Sequence, residues 1–100
     1  MGTYRKKPVE IQAFQWTRYA AEVMDICEYP DWVIEALWYP HSGKEPVEGQ
    51  IVAVPGGWVI WTLEGALNLP YDNYIIRGVE GEIYSCDPGI FHKTYEKVSE

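Results

Sequence analysis

One hundred residues, 47% of them apolar, hold material for one modest core and not for two, so residues 1–100 read as a single domain. Fifteen carboxylates against eight Lys and Arg give a net charge of −7, which repels a phosphate backbone and forgoes the counterion release behind non-specific nucleic-acid binding. Duplex nucleic acid is therefore a poor partner, and no apolar run approaches the length that spans a membrane.

The first segment, Pro8 to Trp16, alternates with period two and reads as a strand with Val9, Ile11 and Ala13 on one face and Phe14 and Trp16 on the other. The basic run Arg5-Lys6-Lys7 before it reads as a solubilising edge. Thr17 is a fitting N-cap for a helix over Ala20 to Cys27, which Tyr29-Pro30 ends. A second short helix is expected from Trp32 to Leu37, and a loop rich in turn residues from His41 to Gly49.

Beyond that loop, short apolar runs separated by turn signals predict strands at Gln50 to Val54, Trp58 to Leu63, Ala66 to Leu69, Tyr74 to Val79, Glu82 to Ser85 and His92 to Val98. Glu64-Gly65 and Glu80-Gly81 place Gly where tight hairpins need positive φ, and Asp87-Pro88-Gly89 reads as a further turn. The expected fold class is α+β: a curved antiparallel meander or partial barrel of six or seven strands, with two short helices near the N-terminus.

Two cysteines, Cys27 and Cys86, allow at most one bridge, and their spacing is unlike a disulfide-rich secreted scaffold; both are expected to be free thiols. With no secretory h-region after Met1, a cytoplasmic location is expected. Met1-Gly2 is not followed by the Ser or Thr of a myristoylation signal, since Lys6 occupies that place.

The chemistry-bearing residues form no strong motif. Cys86, His92 and Glu82 have the residue types of nucleophile, base and orienter, but Asp87 and Glu82 deny the thiolate a positive environment. His41, His92, Cys27 and Cys86 include no pair at metal-ligand spacing, so neither a metal nor a cofactor is expected. Glu80 with Glu82, and Asp25 with Glu28, read as solvated charge, and Gly56-Gly57 as a turn, not a phosphate loop. The sequence thus points to a non-enzymatic binding module.

The quantity that stands out is an aromatic content of 15%, more than a core of this size hides with every N–H and O–H satisfied. Part of it is expected at a surface used for stacking or association. One reading is a nucleotide-like small molecule, with Trp58, Trp61, Tyr71 and Tyr74 stacking on a ring while Arg77 or Lys93 neutralises phosphate. The other is an acidic surface that engages and inhibits a basic host protein. Exposed strand edges together with surplus aromatics also predict a symmetric homo-oligomer.

The two ends of the chain add a setting. The opening Tyr4-Arg5-Lys6-Lys7-Pro8-Val9, followed by Ile11, Ala13 and Gln15-Trp16, is similar to the start of a family of small, functionally uncharacterised bacteriophage and prophage proteins. Pro30-Asp31-Trp32-Val33, Thr62-Leu63-Glu64-Gly65, Tyr74-Ile75-Ile76-Arg77-Gly78-Val79, Gly81-Glu82, Tyr84, Cys86, Pro88, Ile90-Phe91 and Thr94-Tyr95-Glu96 resemble that family too. The chain departs from its pattern at Ser85, Asp87 and Gly89. The resemblance implies a phage-infected bacterial cytoplasm and an accessory or counter-defence role, with a minor virion component as a further possibility.

Overall fold

The computed structural model describes residues 2–5 and 7–98. It is α+β, with two three-stranded antiparallel sheets and three helices rather than one curved sheet. The first sheet joins β1 (Gln12–Gln15), β5 (Tyr74–Arg77) and β6 (Ile83–Cys86) in the order β1-β5-β6. The second joins β2 (Ile51–Val54), β3 (Gly57–Thr62) and β4 (Gly65–Asn68) in chain order. Six strands are present, as expected, but they divide between two sheets: among the described residues no strand ladder joins β4 to β6, where the Ser85 hydroxyl donates to the Asn68 carbonyl at 3.3 Å.

The core lies between the sheets and against the helix Asp31–Ala36 (α2, the second of the chain), drawing Trp16, Trp32, Val33, Ile51, Ile60, Leu69 and Ile75 into one buried cluster. Pro30 introduces α2, whose Trp32, Val33 and Ala36 share a face at helical spacing. The first helix is shorter than its apolar pattern suggests. Thr17 does cap it, its hydroxyl accepting from the Ala20 N–H at 3.0 Å, but α1 spans only Arg18–Glu22. Asp25 then captures the Cys27 N–H and starts a separate 3-10 turn, Ile26–Glu28, which leaves Val23 and Cys27 exposed instead of on a buried face.

The first strand is corrected in length, and of its two faces the one carrying Phe14 and Trp16 is covered. Only Gln12–Gln15 pairs, and the core takes Phe14 and Trp16, while Ala13 and Val9 are exposed. The deciding factor is area: one indole and one phenyl ring bury far more than Val, Ile and Ala together can at a sheet edge. Trp16 is locked by the turn at residues 70–73, where its N–H donates to the Asn73 carbonyl and its carbonyl accepts from Asp72 N–H, both at 2.8 Å.

The expected final strand, His92 to Val98, does not form: its first three residues are the end of a helix and the other four are irregular. Pro88–Thr94 forms α3, and residues 95–98 carry no regular structure. The signal was legible as a start motif: Asp87 caps with its carboxylate, accepting from Gly89 and Ile90 N–H at 2.9 and 3.2 Å, and Pro88 occupies the first helical position. Asp87→Ala is expected to cost about 1 kcal/mol of stability, whereas Asp87→Asn costs only a few tenths, read from urea midpoints. Equal losses for both variants would remove the cap from the account.

Phe91 of α3 stacks on Tyr74 with ring centroids 3.8 Å apart and planes 7° from parallel, so the helix covers one end of the first sheet. No helix among the described residues is long and apolar enough to cross a membrane.

Candidate functional site

A cleft of 680 Å³ opens between α2, the turn at residues 47–50 and the β5–β6 hairpin. Its floor continues the core: Trp32 and Ala36 of α2, and Ile83 of β6, which packs against the buried cluster. Arg77 faces Ile83 across the β5–β6 ladder and Gln12 across the β1–β5 ladder, with Arg77 Nη1 3.4 Å from Gln12 Oε1. The guanidinium therefore stands on the cleft wall, held by a neutral amide and not by an acid.

Two turns form the lips. The first runs through residues 47–50, where the Gln50 side chain accepts the Val47 N–H at 2.8 Å and Gly49 N–H donates to the Trp61 carbonyl at 2.7 Å. Gly49 has φ +88°, a left-handed conformation that a side chain would strain. The second lip is the β5–β6 hairpin, in which Glu82 folds its carboxylate over Gly78 and accepts the Glu80 N–H at 3.0 Å. A Cβ at Gly78 would meet Glu82 Oε1 at 2.1 Å, so this carboxylate is placed by the absence of a side chain there.

Four carboxylates, those of Glu35, Glu48, Glu80 and Glu82, thus line the cleft against the single guanidinium of Arg77. Among the described residues none of the four has an ion-pair partner, and the ion pair found there is Arg18 with Glu22, on α1. Glu35 is the more telling because it sits in the last turn of α2, where the helix dipole favours a cation. Sequence reasoning read Glu80 with Glu82 as solvated charge, weighed Glu82 also as an orienter for Cys86 and His92, and gave Glu35 and Glu48 no role. No local pattern brings those four together; the sheet topology does.

The residues predicted to hold a ring and a phosphate are spread over the molecule. Trp58 packs edge-on to Trp16 at 5.1 Å, and its side chain lies near enough to the Tyr71 hydroxyl to influence that phenol's ionisation, so these two do meet. Tyr71 donates in turn to Glu22 at 2.5 Å, and that bond, followed by Arg18, holds the Glu22 carboxyl below its ordinary pKa. Tyr74 lies under Phe91, with the exposed Lys93 two residues farther along α3. Trp61 of β3, 37% exposed, pairs with Ala66 of β4, and Arg77 is in the cleft. The exposed aromatics Tyr4, Tyr19, Tyr39, Trp61 and Tyr71 make no ring contact with one another among the described residues.

The thiols are both unpaired and both poorly activated. A hydrogen bond to Asp25 raises the pKa of Cys27, and burial followed by the charge of Asp87 raises that of Cys86. His92 approaches the Tyr74 hydroxyl at 3.5 Å, and no group of three His, Cys, Asp or Glu side chains among the described residues is placed to hold a metal ion.

One tyrosine is strongly perturbed. Burial, then a hydrogen bond to Tyr95, push the Tyr84 phenol up to about 12 from 10.0. Because the folded state keeps this proton longer than the unfolded chain does, the associated stability is complete below pH 10.0 and is lost as pH rises towards about 12. Tyr84→Phe is expected to flatten that alkaline decline in denaturation midpoints; an unchanged decline would rule out Tyr84 as its source.

No family model matches this chain, and neither a curated protein nor a solved structure matches it.

Proposed function

We propose that the protein is a non-enzymatic binding module whose cleft receives a basic, extended segment of a host protein. The observation that carries this reading is the set of four carboxylates without ion-pair partners around an apolar floor. Lysine and arginine fit such a site because their aliphatic stems can lie on Trp32 and Ile83 while their charged heads reach the rim. Water does not leave the rim, so each charge pair contributes modestly, about 0.2–1 kcal/mol; the acidic field contributes more to encounter rate and partner choice than to affinity.

The nucleotide-like ligand is the less favoured reading. Its phosphate would have to approach Arg77 past Glu35, Glu48, Glu80 and Glu82, and Tyr74, the predicted stacking platform, already carries Phe91 on its ring. The phage resemblance suits a protein-directed counter-defence or accessory role in an infected bacterium. The test is a titration of the protein with fluorescently labelled oligolysine and, in parallel, oligoglutamate and a panel of nucleotides. Binding of oligolysine alone is expected. A thermal shift with a nucleotide and none with oligolysine would overturn the proposal and restore the small-ligand reading.

A further inference from the structure

The chain carries a basic extended segment of its own. Arg5 and Lys7 belong to its N-terminal arm, in which every described residue from 2 to 10 is exposed and Tyr4 reaches 93% exposure. Neither Arg5 nor Lys7 makes an ion pair or side-chain hydrogen bond among the described residues. The radius of gyration is 14.7 Å, against about 13 Å for a compact chain of this length, and the extents of 50 × 31 × 23 Å are those of an elongated molecule.

The root of the arm adjoins the cleft, because Gln12 at the start of β1 pairs with Arg77 on the cleft wall. The arm is poorly built to turn back into its own cleft. Pro8 fixes its φ and biases Lys7 towards an extended conformation, so the chain continues outward where a reversal is needed. In such an extended stretch Arg5 and Lys7 project from one side, about 7 Å apart, a spacing that suits carboxylates ranged along a groove.

We propose that the cleft takes the N-terminal arm of a second copy of this chain, exchanged reciprocally across a two-fold axis. The proposal rests on the reading of the cleft as a receptor for basic segments. Charge complementarity selects this occupant: two bodies of net charge −7 repel, and the arm is the one segment that brings a cluster of positive charge to the acidic cleft. A symmetric exchange uses both arms and both clefts, leaving no open site for further growth.

The experiment is sedimentation of the full chain at low salt and roughly tens of micromolar, the range in which weak dimers form. Wild-type protein is expected to be dimeric. Arg5→Glu with Lys7→Glu, and separately Glu35→Lys with Glu48→Lys, should each weaken the dimer about tenfold or more. An equimolar mixture of the two variants should dimerise again, since each arm then meets a cleft of opposite charge; this arm of the test also shows that neither variant is merely misfolded. A monomeric wild type, or reversal variants that dimerise as wild type does, overturns the proposal. A monomer that binds oligolysine defeats the arm exchange alone, whereas a monomer that ignores oligolysine defeats the reading of the cleft on which the exchange rests.

Discussion

Trp16→Ala is expected to cost about 3–5 kcal/mol, and with it a large share of the 5–15 kcal/mol that separates a domain of this kind from its unfolded chain. Trp16 is fully buried at the centre of an aromatic set, with ring centroids 6.5 Å from Phe14, 6.0 Å from Tyr29 and 5.1 Å from Trp58. Its removal leaves a cavity bounded by both sheets, because Ile60 and Ile75 share the same buried cluster. The melting temperature should fall by about 15 °C or more. Trp16→Phe should cost much less than the lost volume implies. The indole Nε1 is buried with no hydrogen-bond partner among the described residues, and phenylalanine removes that unpaired donor, whose desolvation costs about 1–3 kcal/mol. Equal losses for Ala and Phe would show that the N–H is satisfied after all.

The second large effect is on binding. Glu35→Lys with Glu48→Lys is expected to weaken oligolysine binding by about 1–3 kcal/mol, roughly 5- to 100-fold, because each reversal replaces a rim attraction with a repulsion of similar size. Folding should not suffer. Both side chains are exposed and neither makes a hydrogen bond or ion pair among the described residues, and a cation at position 35 suits the C-terminal turn of α2 better than a carboxylate does. Glu82 is a poorer choice for this substitution because its carboxylate also holds the hairpin turn. Glu35→Gln with Glu48→Gln should fall between wild type and the reversed variant. Unchanged affinity across the series would place oligolysine elsewhere on the surface.

The class of the fold and the central strands were legible from the chain because their signals are local. Short apolar runs at Ile51–Val54 and Gly57–Thr62, and glycines with φ of +125° at Gly65 and +84° at Gly81, define hairpins without reference to distant residues. What sequence reasoning missed was decided at longer range or by competing local motifs. Residues 88–94 carry an apolar spacing that suits either a strand or a helix, and the cap at Asp87 with Pro88 behind it settles the choice. The grouping into two sheets depends on which edges pair, and β1 finds β5 across some sixty residues of intervening chain. The cleft was invisible for the same reason: Glu35, Glu48, Glu80 and Glu82 come from a helix, a loop and a hairpin that meet only in the folded protein.

The account depends most on the charge of that cleft, and the salt dependence of oligolysine binding to the arm-reversed protein, Arg5→Glu with Lys7→Glu, reads it without competition from the arm. Affinity is expected to fall steadily as salt rises from about 0.01 to 1 M, over which the Debye length shrinks from about 30 to 3 Å, and to fall less steeply once Glu35 and Glu48 are replaced by Gln. Absence of binding, or an affinity that salt and these substitutions leave unchanged, would contradict it.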